Sequence, residues 1–318
     1  MKIIYIYNKI MQTHVNIEQD AADLRKAMKG LGTDEATIIK IIANRTNQQR
    51  QAIKHSYSKQ FNRDLIKDLK SDLSGKFEDT VLALFMDPLE YDCRTIKEAM
   101  KGLGTDEDTL IEILCTRPNW YIQRLHVKYR EIYNKELVSD LMNDLSGDLK
   151  KVLLSIVQGA RSENMAPNEI VMKNKAEELY KAGEARLGTD ESVFYKILTT
   201  SSPAEIAAIA FEYEKISKNN LLTAIEKEFS GDMKKTLKTI IYAIINPSEY
   251  FATRVYKAVK GLGTDNKLLI RILVTRDEID MPQIKNAYKR LYGKDMVQAV
   301  KDDTSGDYKK LLVELCSH

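Results

Sequence analysis

The chain has 318 residues, 43% of them hydrophobic and 30% charged, the composition of a globular protein able to bury a core rather than of a disordered one. Its 49 basic and 46 acidic residues leave a net charge of only +3, so no overall field points to nucleic acid and any anionic partner has to be met locally. Three cysteines, Cys93, Cys115 and Cys316, lack metal-ligand or redox spacing and suit buried thiols in a reducing compartment, and no stretch approaches the roughly 18 apolar residues of a spanning helix.

In chain order, residues 1–19 form a short head whose apolar run Ile3 to Tyr7 is shorter than a signal-peptide core and has no small-residue cleavage site after it. Ala21, Leu24, Ala27 and Met28 follow the three-and-four spacing of a helix, which Gly30 ends. Thr33 offers an N-cap hydroxyl, and Asp34-Glu35 place negative charge at the start of a second helix with Ile38, Ile39, Ile41 and Ile42 on its apolar face. Thr46 with Gln49 makes a capping box for a third helix through Ile53 and Tyr57. Leu65, Ile66 and Leu69 carry a fourth; Ser74-Gly75 interrupt, and Val81, Leu82, Leu84 and Phe85 mark a fifth. No alternating run bounded by hairpin turns predicts a strand.

This pattern repeats. Leu-Gly-Thr-Asp occurs at Leu31–Asp34, Leu103–Asp106, Leu187–Asp190 and Leu262–Asp265. A given tetrapeptide arises by chance about once in 10⁵ positions, so the copies mean an internal repeat. An all-α array of four five-helix repeats follows, over 20–87, 88–159, 175–246 and 247–318, with a polar linker over 160–174. Pro88 and Pro247 open repeats, while Pro118 and Pro203 stand where a third helix starts and a missing N–H is tolerated. Pro282 aligns inside a third helix and predicts a late start or a kink. The linker, by its length, is expected to divide the array into two halves.

Forty residues after the Gly of each motif stands an acid, Asp72, Asp144, Glu228 or Asp303, each opening an acid-x-Ser-Gly segment. A glycine loop that can turn carbonyls outward, paired with one bidentate carboxylate, is what a hard cation such as calcium requires.

Four such units, with Met-Lys-Gly-Leu-Gly-Thr-Asp in two and Val-Lys-Gly-Leu-Gly-Thr-Asp in the fourth, resemble the annexins from about Asp20 onward. The resemblance implies a curved disc with the glycine loops on its convex face, where calcium bridges the protein to acidic phospholipid headgroups of the phosphatidylserine type. It implies ligand sets of the Met28, Gly30 and Gly32 carbonyls with Asp72; of Met100, Gly102 and Gly104 with Asp144; and of Val259, Gly261 and Gly263 with Asp303. The third loop departs: Gly183 to Gly188 is one residue longer and has Arg186 in place of the first loop glycine. Its implied set is Gly183, Arg186, Gly188 and Glu228. The same resemblance implies a cytoplasmic protein, peripheral on membranes when calcium rises, with self-association there left open. Asp92, Glu112, Arg117, Arg271 and Asp280 resemble the polar lining of the family's central channel, a place that a salt-bridge network fills equally well.

Other residues around the loops carry narrower expectations. Lys29, Lys101 and Lys260 flank three loops and can attract anionic headgroups, whereas the third offers Glu184 and Arg186. Leu31, Leu103, Leu187 and Leu262 sit between loop glycines, where burial in the protein is hard, and are expected to meet the lipid interface. Arg45, Arg117 and Arg276, matched after the second helix, are expected to cap helix-end carbonyls.

Catalysis has no support in these residues, and the chain is read as no enzyme. Gly30-x-Gly32-x-x-Glu35 lacks the third glycine and the preceding strand of a dinucleotide fingerprint, and Ser74-Gly75-Lys76-Phe77 is no P-loop. His14, His55, His126 and His318 show no metal spacing or nucleophile partner, and no EF-hand loop is present. The alternatives to calcium-dependent membrane binding are a helical-repeat scaffold for proteins and a membrane-associated ion conductor; a scaffold has no use for an acid placed forty residues after each loop.

Overall fold

The computed structural model describes residues 15–30 and 32–317, so Leu31 and the head up to His14 lie outside the described residues. All regular structure among the described residues is helical. The first repeat holds α1 (Ile17–Ala27), α2 (Glu35–Ala43), α3 (Asn47–Phe61), α4 (Leu65–Asp72) and α5 (Gly75–Leu84). The second holds α6 (Pro88–Ala99), α7 (Glu107–Thr116), α8 (Asn119–Tyr133), α9 (Leu137–Asp144) and α10 (Gly147–Val157). The third holds α11 (Glu169–Ala182), α12 (Glu191–Thr200), α13 (Pro203–Ser217), α14 (Leu221–Glu228) and α15 (Gly231–Ile245). The fourth holds α16 (Pro247–Val259), α17 (Asn266–Arg276), α18 (Met281–Tyr292), α19 (Met296–Asp303) and α20 (Gly306–Ser317).

The helix starts follow the local chemistry with one revision. Thr46 and Gln49 form the expected capping box, with reciprocal bonds of 3.2 and 2.8 Å, and Ser202 with Glu205 repeats it at α13. α18 begins late, at Met281, so that Pro282 falls in the first turn, where its missing N–H costs nothing. At α2 the cap is Asp34 and not Thr33: the Asp34 carboxylate accepts from Thr37 N at 3.0 Å and from the Thr37 hydroxyl at 2.7 Å. Those bonds hold the Asp34 carboxyl below the usual carboxylate range. Asp106, Asp190 and Asp265 cap α7, α12 and α17 in the same way.

The chain packs into two compact units, and they are not the halves expected from the linker. One unit joins the first repeat to the fourth (the described residues up to 88 with those from 251 on), and the other joins the second to the third (89–250). The linker therefore lies inside one unit. It is fastened to both repeats of that unit: Asn119 Nδ2 donates to Arg161 O at 2.7 Å, and Ser162 N to Thr200 O at 2.7 Å. Ser201 stands where the other repeats have an arginine, and the linker's Arg161 reaches its carbonyl from outside, at 3.4 Å.

Within the second unit, α7 packs on α15 and α10 on α12, so the two repeats share one core in which Leu110, Ile113, Leu114, Phe194, Leu198, Leu237 and Ile240 are all buried. Each such residue contributes roughly 1.5–3 kcal/mol relative to exposure. Within the other unit α5 packs on α17 and α20, and α2 on α20. Arg50 is buried there, donating to the carbonyls of Leu84, Ile42 and Arg45 and pairing with Glu278 of the fourth repeat at 3.0 Å. Burial pulls its guanidinium pKa down against the opposing pull of Glu278.

The arginines after the second helices pair mainly with carboxylates rather than capping carbonyls. Arg45 binds Asp20 at 2.7 Å, taking one carbonyl, that of Asn44, as well; Arg117 binds Asp92 at 2.9 Å; Arg276 binds Asp280 at 2.6 Å and lies over Phe251. Asp20 and Asp92 each precede their arginine by 25 residues; at that place the fourth repeat has Phe251, which explains why Arg276 takes its acid from the other side.

Candidate metal centres

Each loop is closed by a main-chain bond across the motif: Asp34 N to Ala27 O at 2.9 Å, Asp106 N to Ala99 O at 2.8 Å, Asp265 N to Ala258 O at 2.9 Å. The third loop makes the same closure over one residue more, Asp190 N to Ala182 O at 2.8 Å. Inside the second loop, Gly102 and Gly104 hold φ of +101° and +93°, left-handed values that a side chain resists. Open space surrounds both, so the requirement is conformational and not steric. The first and fourth loops repeat this pair at Gly30, Gly32, Gly261 and Gly263, whereas the third has only Gly188 in that region.

The distant acid arrives at each loop on the end of the fourth helix, and the motif threonine receives it. Thr105 donates to Asp144 Oδ2 at 2.7 Å, Thr189 to Glu228 Oε2 at 2.5 Å, and Thr264 to Asp303 Oδ2 at 2.6 Å. The first repeat differs. Thr33 reaches only the Asp72 main-chain oxygen at 3.4 Å, and the Asp72 carboxylate takes the neighbouring Ser71 hydroxyl at 2.9 Å. The motif threonine of the other three repeats, freed from capping by the adjacent aspartate, is the functional residue that sequence reasoning misread; its signal was the Thr-Asp pair itself, two capping residues in succession.

The donor set suits a calcium-like cation. Among the described residues, the carbonyls of Met100, Gly102 and Gly104 accept no hydrogen bond, and the same holds for Met28, Gly30, Gly32, Val259, Gly261 and Gly263. Nor do three His, Cys, Asp or Glu side chains converge anywhere among the described residues, so a cation here would draw mostly on main-chain oxygen, as hard cations do. In the third loop Arg186 and Gly188 carbonyls are likewise open, but Gly183 O accepts from Arg186 N at 3.0 Å, leaving one lone pair. Gly183 is buried against Phe194, whose ring would lie 3.1 Å from an added Cβ, and against the Glu228 side chain.

Around the loops, Leu103, Leu187 and Leu262 are fully exposed at 109%, 101% and 108%, while Leu31 lies outside the described residues. Lys29, Lys101 and Lys260 are exposed beside them. Glu184 does not offer its charge outward as expected: its carboxylate accepts from the Tyr213 hydroxyl and from Asn219 Nδ2, both at 2.9 Å. Of the residues likened to a channel lining, Asp92 and Arg117 form an ion pair joined by the Tyr121 hydroxyl, and Asp280 is held by Arg276.

In each unit the two loops share a side. Lys235, near the start of α15, binds Asp108 in the first turn of α7 at 2.8 Å, which sets the starts of these two helices together next to their loops. In the other unit, Lys310 near the start of α20 pairs with Asp307 at 2.8 Å, which raises its pKa, and Glu35 at the start of α2 adds to that pull.

The family model for annexin matches residues 19–84, 91–156, 174–240 and 250–315. The chain belongs to the annexin family. Human annexin A7 is 46% identical over 297 residues, covering 93% of this chain and 61% of that protein, so this chain spans less than two thirds of that annexin's length. The solved structure of annexin III matches with a TM-score of 0.92 at 39% identity, covering 96% of this chain and 94% of the other. A structure of calcium-bound annexin (Sm)1 matches with a TM-score of 0.85 at 33% identity, covering 95% and 90% of the two chains. Among the described residues no helix of this annexin is long and apolar enough to cross a membrane.

Proposed function

We propose that this annexin attaches reversibly to acidic phospholipid surfaces through calcium held between its glycine loops and their distant acids. The observation that carries this is the coincidence, in one place, of open loop carbonyls with a carboxylate delivered by a threonine hydroxyl, as at Thr105 and Asp144. The match to an annexin described as calcium-bound supports the choice of ion. Met100, Gly102 and Gly104 with Asp144, and their counterparts in the other repeats, would hold it. One carboxylate and three carbonyls supply about five of the usual seven or so oxygens, and a lipid phosphate supplies the remainder, so affinity without membrane is weak. Calcium contributes the charge that joins two anions, carboxylate and headgroup.

The protein's own residues do the rest. Exposed leucines at the loop tips give the interface an apolar foothold, and the flanking lysines add attraction for anionic headgroups. Paired loops within each unit make attachment multivalent, so it reverses steeply as calcium falls. The role is binding without catalysis, peripheral and cytoplasmic. Co-sedimentation with phosphatidylserine vesicles tests it: binding is expected only with calcium and is lost on chelation. Equal binding to neutral vesicles, or binding that survives chelator, overturns the reading.

A further inference from the structure

We propose that Glu184 is a positioning residue of the third loop, holding it open with Leu187 outward before any ligand arrives; this rests on the membrane-binding reading above. In the first two repeats the buried tyrosine of the third helix gives its hydroxyl to an acid on the fourth helix, Tyr57 to Asp68 at 2.6 Å and Tyr129 to Asp140 at 2.7 Å. The third repeat has Ala224 at that place, and Tyr213 turns instead to Glu184 in the loop itself. Asn219, from the turn after α13, takes the second carboxylate oxygen. Tyr213 is fully buried and edges onto Tyr180, so it is a fixed post.

Both ends of the loop are thereby fastened: Glu184 at one side, and Thr189 through Glu228 at the other. Between them Ala185 N bonds to Tyr180 O and Arg186 N to Gly183 O, both at 3.0 Å, and Leu187 stands free. The other loops hold their shape with two left-handed glycines and carry a lysine where Glu184 stands. With Arg186 replacing one of those glycines, the third loop takes its shape from the carboxylate.

The test is deuterium exchange of the 183–189 segment in calcium-free protein, paired with the calcium midpoint for binding phosphatidylserine vesicles, in Glu184→Ala and Tyr213→Phe. Loop exchange is expected to quicken by about tenfold in Glu184→Ala and less in Tyr213→Phe, with the 101–105 segment unchanged. The midpoint should rise about two- to fivefold, because the binding-competent fraction of that loop falls. Unchanged loop exchange, faster exchange with an unmoved midpoint, or faster exchange throughout the second unit each overturns the proposal. If the unaltered protein fails to bind vesicles in calcium, the membrane reading fails by itself, and the exchange experiment still decides whether Glu184 holds the loop.

Discussion

Replacing Thr105 by valine keeps the β-branched shape and removes only the hydroxyl that meets Asp144 Oδ2 at 2.7 Å. A hydrogen bond to a charged group is worth about 1.5–3 kcal/mol, and the part-exposed position argues for the lower end. Without the bond the Asp144 side chain is free to leave for other staggered wells, and the fraction poised toward the loop falls. At about 1.4 kcal/mol per tenfold, calcium affinity at that site should drop roughly tenfold. Thr33→Val provides the internal control, since Thr33 touches only a main-chain oxygen at 3.4 Å and Ser71 holds the Asp72 carboxylate; its effect should stay under about twofold. The assay is calcium titration of vesicle binding in single-site proteins, with the acids of the other three repeats changed to Asn or Gln. Equal shifts for the two threonines, or none for either, would refute the idea that the threonine delivers the acid.

Further outcomes follow from the same geometry. Leu103→Asn with Leu262→Asn should weaken vesicle binding at saturating calcium by about tenfold or more, yet leave thermal unfolding unchanged, because both side chains are fully exposed in the free protein. Gly183→Ala should cost about 1–3 kcal/mol in thermal or urea unfolding, as its Cβ would come within 3.1 Å of the Phe194 ring. Asp68 is held below its ordinary pKa by the Arg63 hydrogen bond, which with that from Tyr57 outweighs burial. Its contribution to stability is therefore complete above about pH 5 and is lost as pH falls through the lower folded value. Asp68→Asn should flatten that acid limb of the stability profile, and an unchanged limb would show that the carboxylate is not what titrates.

The periodic elements were legible because helices are local: Ile38, Ile39, Ile41 and Ile42 are all buried, and Thr46 caps as its spacing predicted. The meeting of loop and acid was legible as a fixed interval, but the bond that makes it was not. Threonine and aspartate stand side by side as candidates for one cap; the aspartate takes it in every repeat, and where the freed threonine hydroxyl then goes, to the Asp144 carboxylate from Thr105 but only to a main-chain oxygen from Thr33, is not written in the motif. The partner of Glu184 was equally hidden, since the tyrosine that takes it in the third repeat bonds an acid of another helix in the first two. The pairing of repeats is a matter of which apolar faces meet, and a long linker speaks only of how far the chain travels, not of which neighbour it reaches.

That pairing gives the molecule an order of assembly. The second and third repeats are contiguous, so their shared core closes within one stretch of chain from Leu89 to Tyr250. The first repeat emerges earlier but lacks its counterpart: Asn44 waits for Glu314, 270 residues downstream, and the Arg50 guanidinium waits for Glu278. During synthesis at about 5–20 residues per second, that interval lasts many seconds, with the apolar faces of α2 and α5 uncovered. The first repeat is thus made before the second unit and finished after it, and a chain stopped near Tyr250 would hold one completed unit and one repeat exposed to chaperones and proteases.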